Sequence, residues 1–260
     1  MPIRVTGRGP SRLGSPLQTI AHSVAFSPLS QGLIYSTALP DTALLNGVVL
    51  MVFKLIVATV PADLRAKFAD RQAAAWSELK SVPGFLAQAG GWETERPDSA
   101  VIIAYWKNEQ SYADFMAKQH DSLAERQRDT HSGLRIYSGH VIMTIKESDP
   151  RIAIAEAEMV RVSDLTLRPD SSPMFLAMQF DVWRPGLISS NGMLGNTFTR
   201  LGRFPDRFAS TTFWRSSEAL RSFVETVYPV LSVQTKVQDH IKELVTYHAR
   251  LEPSWKLLVP

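Results

Sequence analysis

The residue of this sequence best placed to do chemistry is His120. It follows Met116 by four residues and Tyr112 by eight, a spacing that puts the three side chains on the apolar side of a predicted helix. A neutral imidazole there can accept a proton near neutral pH or bind a haem iron. We therefore predict His120 as a catalytic base and as a cofactor ligand. The alternative is a half-buried histidine that is hydrogen-bonded to a backbone carbonyl.

Two further histidines, His140 and His248, lie in the segments SGHV and TYHA, which are 108 residues apart. We predict His140 as a second catalytic base and His248 as part of a ligand pocket. Their recurrence also fits a structural role, such as a hydrogen bond between two repeated halves. Neither segment contains an acidic residue, so the sequence predicts no metal site.

Aromatic residues complete the predicted pocket. Trp106 and Trp214 each end a predicted strand and precede a predicted helix, where a large ring either packs in the core or lines a pocket. Tyr228 follows His120 by 108 residues and takes its place in the second repeat. Trp106 joins His120 as a predicted cofactor-binding residue. The residues predicted to line a ligand pocket are Trp106, Trp214, Tyr228 and His248.

Composition excludes several classes of protein. The chain has 260 residues, of which 45% are hydrophobic and 20% charged, enough for a sizeable core. It contains no cysteine, which excludes disulfides, cysteine nucleophiles, iron–sulfur clusters and thiolate zinc sites. The net charge is only +3, so we expect no nucleic-acid partner. Neither a phosphate-binding loop nor a dinucleotide fingerprint is present.

The first 50 residues differ from the rest. Residues 1–40 are rich in Ser, Gly, Pro and Thr and show no helical or strand period. We predict that residues 1–50 are a disordered extension or follow a start codon assigned too early. A secretory signal or membrane anchor is the alternative, but the apolar run from Ala43 to Phe53 is short and ends at Lys54. We expect no membrane partner and a cytoplasmic location.

The remaining chain contains an internal repeat. Displacing the sequence by 108 residues aligns two segments without a gap, roughly residues 51–150 and 159–260. We predict these segments as the two halves of the fold. The matched residues include Met51-Val52 with Met159-Val160, Pro61 with Pro169, Gly84 with Gly192, Trp106 with Trp214, and His140 with His248.

Each segment has the pattern of a β-α-β-β-α-β unit. Asn108 and Ser216 are predicted to cap equivalent helices, the first of which extends to Leu123. The first helix of the second segment is predicted to end at Arg184-Pro185. Apolar runs predict the strands of the first segment over 52–60, 85–92, 101–106 and 134–145.

This order of elements predicts the fold class. Four strands with both helices on one face leave the other face of the sheet bare, and that face must be covered. A second copy in the same chain can cover it, sheet against sheet. The predicted fold is therefore α+β, with tandem ferredoxin-like β-α-β-β-α-β repeats that form an intramolecular dimeric α+β barrel.

Several segments resemble a known superfamily. The strand-to-helix segments VIIAYWKNEQSYADFM and ASTTFWRSSEALRSFV resemble those of dimeric α+β barrel proteins, which include antibiotic-biosynthesis-monooxygenase-like and haem-degrading members. The segments FLAQAGGW, FWRSSEALRSFV and WRPGLISSNGMLG are similar to a YdbC-like group of bacterial proteins. The resemblance covers about residues 51–250. Trp106 matches the haem-degrading members, but Glu125 stands where their axial histidine lies, and the strand over 52–60 lacks their asparagine.

Two functions follow from the resemblance and the predicted pocket. The first is binding of a small apolar or aromatic ligand between sheet and helices, without a cofactor and without assured catalysis. The alternative is a monooxygenase-like enzyme, which either oxygenates a small aromatic substrate without a cofactor or binds and degrades haem. Association into a further homodimer is compatible with both.

Overall fold

The structure is a computed structural model that describes residues 50–147, 149–202 and 204–260. The predictions for the segment before residue 50 lie outside these residues. Among the described residues, no helix is both long and apolar enough to cross a membrane.

The first half contains four strands and three helices. The side chain of Asn108 caps the second helix, because its amide oxygen accepts a hydrogen bond from the Ser111 N–H at 2.9 Å. That helix does not extend to Leu123 as predicted. The backbone leaves the helical region at Gln119, and a separate short helix begins at His120. The elements are β1 (Val52–Thr59), α1 (Arg65–Ala75), β2 (Phe85–Glu93), β3 (Ser99–Trp106), α2 (Glu109–Lys118), α3 (His120–Glu125) and β4 (Gly133–Ile145).

The second half repeats this order after a connecting helix. Its first helix does not end at Arg184-Pro185 as predicted. A π turn over Gln179–Trp183 connects two helical segments, and Pro185 lies in the first turn of the next one, where its missing N–H is tolerated. The elements are α4 (Pro150–Glu156), β5 (Met159–Leu167), α5 (Ser172–Met178), α6 (Arg184–Ser189), β6 (Met193–Leu201), β7 (Arg207–Trp214), α7 (Ser217–Ser222), α8 (Tyr228–Thr235), β8 (Ile241–Leu251) and β9 (Leu257–Leu258).

The strands form a closed antiparallel barrel, which confirms the predicted fold class. Each half contributes four strands, in the order β4-β1-β3-β2 and β8-β5-β7-β6. The pairs β4–β6 and β2–β8 join the two halves and close the barrel. The short strand β9 pairs with the free part of β2. The boundaries of the two segments, 51–150 and 159–260, stay predictions.

The register defines which residues of the two halves are equivalent. Val52 lies opposite Trp106, and Met159 lies opposite Trp214, so Val52 corresponds to Met159. The predicted pairing of Val52 with Val160 is therefore wrong by one residue. The difference matters, since a shift of one residue moves a side chain to the other face of a strand.

Apolar side chains fill the barrel and the layers outside it. In the first half the outer layer includes Trp255, which follows β8 and packs on Phe68 and Trp92 with ring centroids 5.7 and 5.4 Å apart. The buried residues inside the barrel include Phe53, Leu55, Val57, Ala89, Ile103, Tyr105, Val160, Val162, Phe213, Tyr247 and Ala249.

Candidate functional site

A pocket lies between the sheet and the helices of the second half. Its volume is about 520 Å³, including the part open to solvent. Aromatic and aliphatic side chains form most of the wall, and one charged residue, Arg161, lies among them. The lining residues are Arg161, Ser163, Leu165, Phe175, Gln179, Trp183, Leu187, Phe198, Ser210, Thr212, Phe223, Tyr228, Val237, Ile241 and Leu244.

Polar residues of β5 and β7 form the floor of the pocket. Arg161 pairs with Thr212 across the strands, and Ser163 pairs with Ser210. Side chains two residues apart on a strand share a face, so these four point toward the helices. None of these four residues is predicted from the sequence. The signal that could have found them is polar residues at alternate positions of otherwise apolar strands.

Arg161 is a buried cation with an unsatisfied donor. The residue is 8% exposed, and its Nε has no hydrogen-bond partner. Its guanidinium lies over the Tyr228 ring, 5.2 Å from the centroid. Burial lowers the pKa of Arg161, and the described carboxylates form no ion pair with it. The pocket therefore has a positive charge in its floor that forms no ion pair with a described carboxylate.

Two π turns position the aromatic wall. Trp183 ends the turn over Gln179–Trp183, and Tyr228 follows the second turn, Phe223–Val227. The extra residue in each turn changes which side chains face the sheet. The rings of Trp183 and Tyr228 pack with centroids 5.5 Å apart, and Trp183 Nε1 is buried without a hydrogen-bond partner.

The equivalent region of the first half is packed differently. Its cross-strand pairs are Lys54 with Ala104 and Ile56 with Ile102, so all three hydroxyl groups of the pocket floor are replaced by apolar side chains. Trp76 is the counterpart of Trp183, but its Nε1 donates to the Gln127 amide oxygen at 2.8 Å. Lys54 is the counterpart of Arg161, and its Nζ lies 3.8 Å from Met116 Sδ.

His120 lies in this packed region. Its ring contacts Trp76 and Phe115, with centroid distances of 6.2 and 5.8 Å. The residue is 7% exposed, and its Nδ1 lies 2.9 Å from the Asp121 carboxylate. Burial and then the charge of Lys54 lower the pKa of His120, while Asp121 opposes this shift. The imidazole is therefore held mainly in its neutral form.

The surroundings of His120 do not fit a haem. A pocket for a ligand of that size encloses several hundred Å³, on the order of 300–1,000. Here the adjoining space contains Trp76, Phe115 and Trp106, and Trp106 is 1% exposed and stacks on Phe115 at 4.7 Å. A porphyrin would have to displace these rings. Nor do the described histidines and acidic residues form a cluster of three or more that could hold a metal ion.

The two strand histidines do not occupy equivalent positions. His140 lies opposite Val52, whereas His248 lies opposite Arg161, two residues further along the equivalent strand. The interpretation of these residues as one repeated structural position is therefore wrong. His140 Nε2 lies 3.2 Å from a Glu109 carboxylate oxygen.

His248 lies beside the floor of the second-half pocket. Its Nδ1 is 3.4 Å from a Glu95 carboxylate oxygen, and its Nε2 is buried without a hydrogen-bond partner. Burial and then the charge of Arg161 lower the pKa of His248.

The structure thus separates the residues that the sequence predicts for a single pocket. Tyr228 lines the second-half pocket directly. Trp214 is absent from the lining; it is buried beside the floor, two residues from Thr212 on β7, and its Nε1 donates to Thr212 Oγ1 at 2.8 Å. Trp106 and His120 lie in the first half.

Comparison of sequences finds a family model and a relative, each matching part of the chain. The model of a domain of unknown function, DUF4937, matches residues 52–138. The uncharacterized protein YdbC of Bacillus subtilis (strain 168) is 32% identical over 122 residues, which cover 46% of this chain and 90% of YdbC.

Comparison of structures extends the similarity to both halves. A candidate monooxygenase from Fusobacterium nucleatum has a TM-score of 0.64 and 10% identity, and the match covers 78% of this chain and 93% of the other. A candidate monooxygenase from Lactobacillus acidophilus has a TM-score of 0.60 and 14% identity, covering 81% and 100%. An anthrone oxidase-like protein has a TM-score of 0.55 and 10% identity, covering 79% and 92%. At these identities the similarity establishes the fold.

Proposed function

This chain belongs to the YdbC-like family of the dimeric α+β barrel superfamily, and from that premise we propose that it binds a small aromatic ligand in its second half. The observation that supports the proposal is the pocket itself, a mostly apolar cleft between β5, β7 and the covering helices that is partly open to solvent. Small-molecule sites are typically concave and mostly apolar, with a few polar groups that orient the ligand.

The walls of the pocket suit a flat ring. Trp183 and Tyr228 form one wall, with their rings inclined by 56°, and Phe198 lies on another side. Aromatic rings favour offset or edge-to-face contacts with one another, so a bicyclic ligand can pack against these side chains. Ser210 and Gln179 add polar groups that can fix its orientation.

Isothermal titration calorimetry of the full chain with 2-naphthamide and 2-naphthoate tests the proposal. We expect at least one of these probes to bind one site per chain. The variant Ser163→Ile gives the pocket floor the residue that the first half has at Ile56 and fills part of the space. The affinity of Ser163→Ile for the bound probe should fall about tenfold or more. The added side chain occupies space in which the probe would contact the pocket walls.

The matched control is Ser122→Ile, on the exposed surface of α3 in the first half. Ser122→Ile should bind the probes with the affinity of the wild type. Absence of binding of both probes to the wild type would contradict the proposal, as would unchanged affinity in Ser163→Ile.

The oxygenase alternative stays a prediction, as do the catalytic roles of His120 and His140. Oxygenation of a bound aromatic substrate would require a base close to the substrate. The imidazole beside the proposed pocket is that of His248, opposite Arg161. His120 and His140 belong to the first half.

A further inference from the structure

The buried charge of Arg161 in the pocket floor indicates the charge of the ligand. Burying an unpaired cation costs several kcal/mol, so buried arginines are normally paired with a carboxylate. Arg161 is 8% exposed, and the described acidic residues do not pair with it. The pocket lining contains no Asp or Glu. An anion that balances this charge must therefore come from outside the described protein.

We propose that the ligand of the second-half pocket is an aromatic carboxylic acid whose carboxylate binds Arg161; this inference rests on the function proposed above. A planar guanidinium matches a carboxylate with two parallel hydrogen bonds, and such charge-assisted bonds are about twice as strong as neutral ones. The aromatic part of the ligand then packs against Trp183 and Tyr228.

Further donors in the pocket are available to the same carboxylate. Trp183 Nε1 is buried and has no hydrogen-bond partner. Ser210 Oγ accepts a hydrogen bond from Asn196 Nδ2 at 3.1 Å, so its own proton remains available. Arg161, Trp183 and Ser210 thus supply donors from the floor and the wall, and all three residues line the pocket.

The first half provides an internal comparison. Lys54 occupies the position equivalent to Arg161 and is also buried, but its Nζ packs against Met116 and the Tyr112 ring. Its strand neighbours are the apolar pairs of β1 and β3. Lys54 therefore has the burial and the charge of Arg161 without the polar floor, which makes it a suitable control for loss of a buried cation.

The test compares two probes of equal shape and different charge. In calorimetric titrations of the full chain we expect 2-naphthoate to bind at least about tenfold more tightly than 2-naphthamide, since charge-assisted hydrogen bonds are about twice as strong as neutral ones. Arg161→Met should lose that preference, with little change for the amide. Trp183→Phe should weaken the acid several-fold and the amide much less. Lys54→Met should keep the wild-type preference.

Each outcome decides between the two proposals. Equal binding of acid and amide by the wild type would overturn the carboxylate inference and leave the proposed function standing. A preference for the acid that persists in a folded Arg161→Met would overturn it as well. Failure of both probes to bind would overturn the proposed function together with the inference. If Arg161→Met does not fold, the ratio of the two affinities in the wild type decides.

Discussion

Lys54 illustrates how a single buried charge controls stability. Burial lowers the pKa of its ammonium group from 10.5 to about 8. Below pH 8 the group is charged in both the folded and the unfolded chain, and the folded state bears the cost of burying it. Between pH 8 and 10.5 the folded protein releases the proton while the unfolded chain keeps it. The free energy of unfolding should therefore rise with pH in this window.

We expect the rise to reach about 3 kcal/mol, taking about 1.4 kcal/mol per pKa unit. Chemical denaturation of the wild type and of Lys54→Met from pH 7 to 10.5 measures it. The variant should be more stable than the wild type at pH 7, and the difference should shrink as pH rises. Lys118→Met, on the exposed face of α2, is the control and should follow the wild type. A constant difference between Lys54→Met and wild type would refute the argument.

At the residue scale, the sequence predicts some side chains well and others poorly. The cap at Ser216 follows from local geometry, and its Oγ accepts the Ala219 N–H as expected. The importance of Arg161 depends on which residues of β7 lie beside it, and a single strand sequence does not contain that information. The predicted role of His120 depended on open space beside it, but Trp76, which is distant in sequence, packs against its ring together with Phe115.

At the scale of elements, two glycines allow the halves to join. Gly139 lies on β4 where it meets β6, and a Cβ there would overlap the carbonyl oxygen of Arg200. Gly91 occupies the corresponding position where β2 meets β8, beside the carbonyl of Arg250. The strands approach closely because neither residue has a side chain.

Gly139→Ala should therefore destabilise the protein, by roughly 1–3 kcal/mol, as overpacking of a close contact does. Gly133→Ala in the same strand is a matched control, because a Cβ there would meet only the Thr59 side chain, at 3.8 Å. We expect equilibrium denaturation with urea to show a lower midpoint for Gly139→Ala and a near-wild-type midpoint for Gly133→Ala. Equal midpoints of the two variants would show that the close approach of β4 and β6 does not depend on a glycine at position 139.

The elements were predictable where their period was regular. The alternating or continuous apolar runs of β1 to β4 identify these strands to within a few residues. The π turns were not predicted, since one additional residue changes the helical spacing of the positions that follow. The predicted helix end at Arg184-Pro185 relied on the proline, but Pro185 lies in the first turn of α6, where a missing N–H is tolerated. The offset between Val52 and Val160 arises because the connection from β5 to β6 is one residue longer than that from β1 to β2, and a gap-free alignment cannot represent this difference.

At the scale of the whole molecule, the C-terminal segment connects the second half back to the first. Trp255 Nε1 donates to the Ala69 carbonyl of α1 at 3.2 Å. Gly90 leaves room for its ring, whose Cε3 lies 3.1 Å from where a Cβ would be. In the second half the position equivalent to Gly90 is Phe198, which stacks on Phe208 at 5.4 Å. The space outside the sheet is therefore filled by Phe198 and Phe208 in the second half and by Trp255 in the first half.

Trp255→Ala should lower the free energy of unfolding by about 3–5 kcal/mol, because it leaves a cavity under α1. Phe204→Ala removes an aromatic ring that is 65% exposed and should change stability by less than about 0.5 kcal/mol. Calorimetric melting of both variants checks the expectation. Similar losses in the two variants would show that Trp255 does not support the first half as described.

The equivalence of Lys54 and Arg161 has a consequence for the stoichiometry of ligand binding. In a barrel assembled from two identical chains, every exchange of a floor residue would appear twice, once in each subunit. Here the covalent link allows Lys54 of one half to pack against its covering helix while Arg161 of the other half lies in the floor of a pocket. Binding of the proposed ligand should therefore saturate at one molecule per chain, and dilution should not separate the two halves of the barrel.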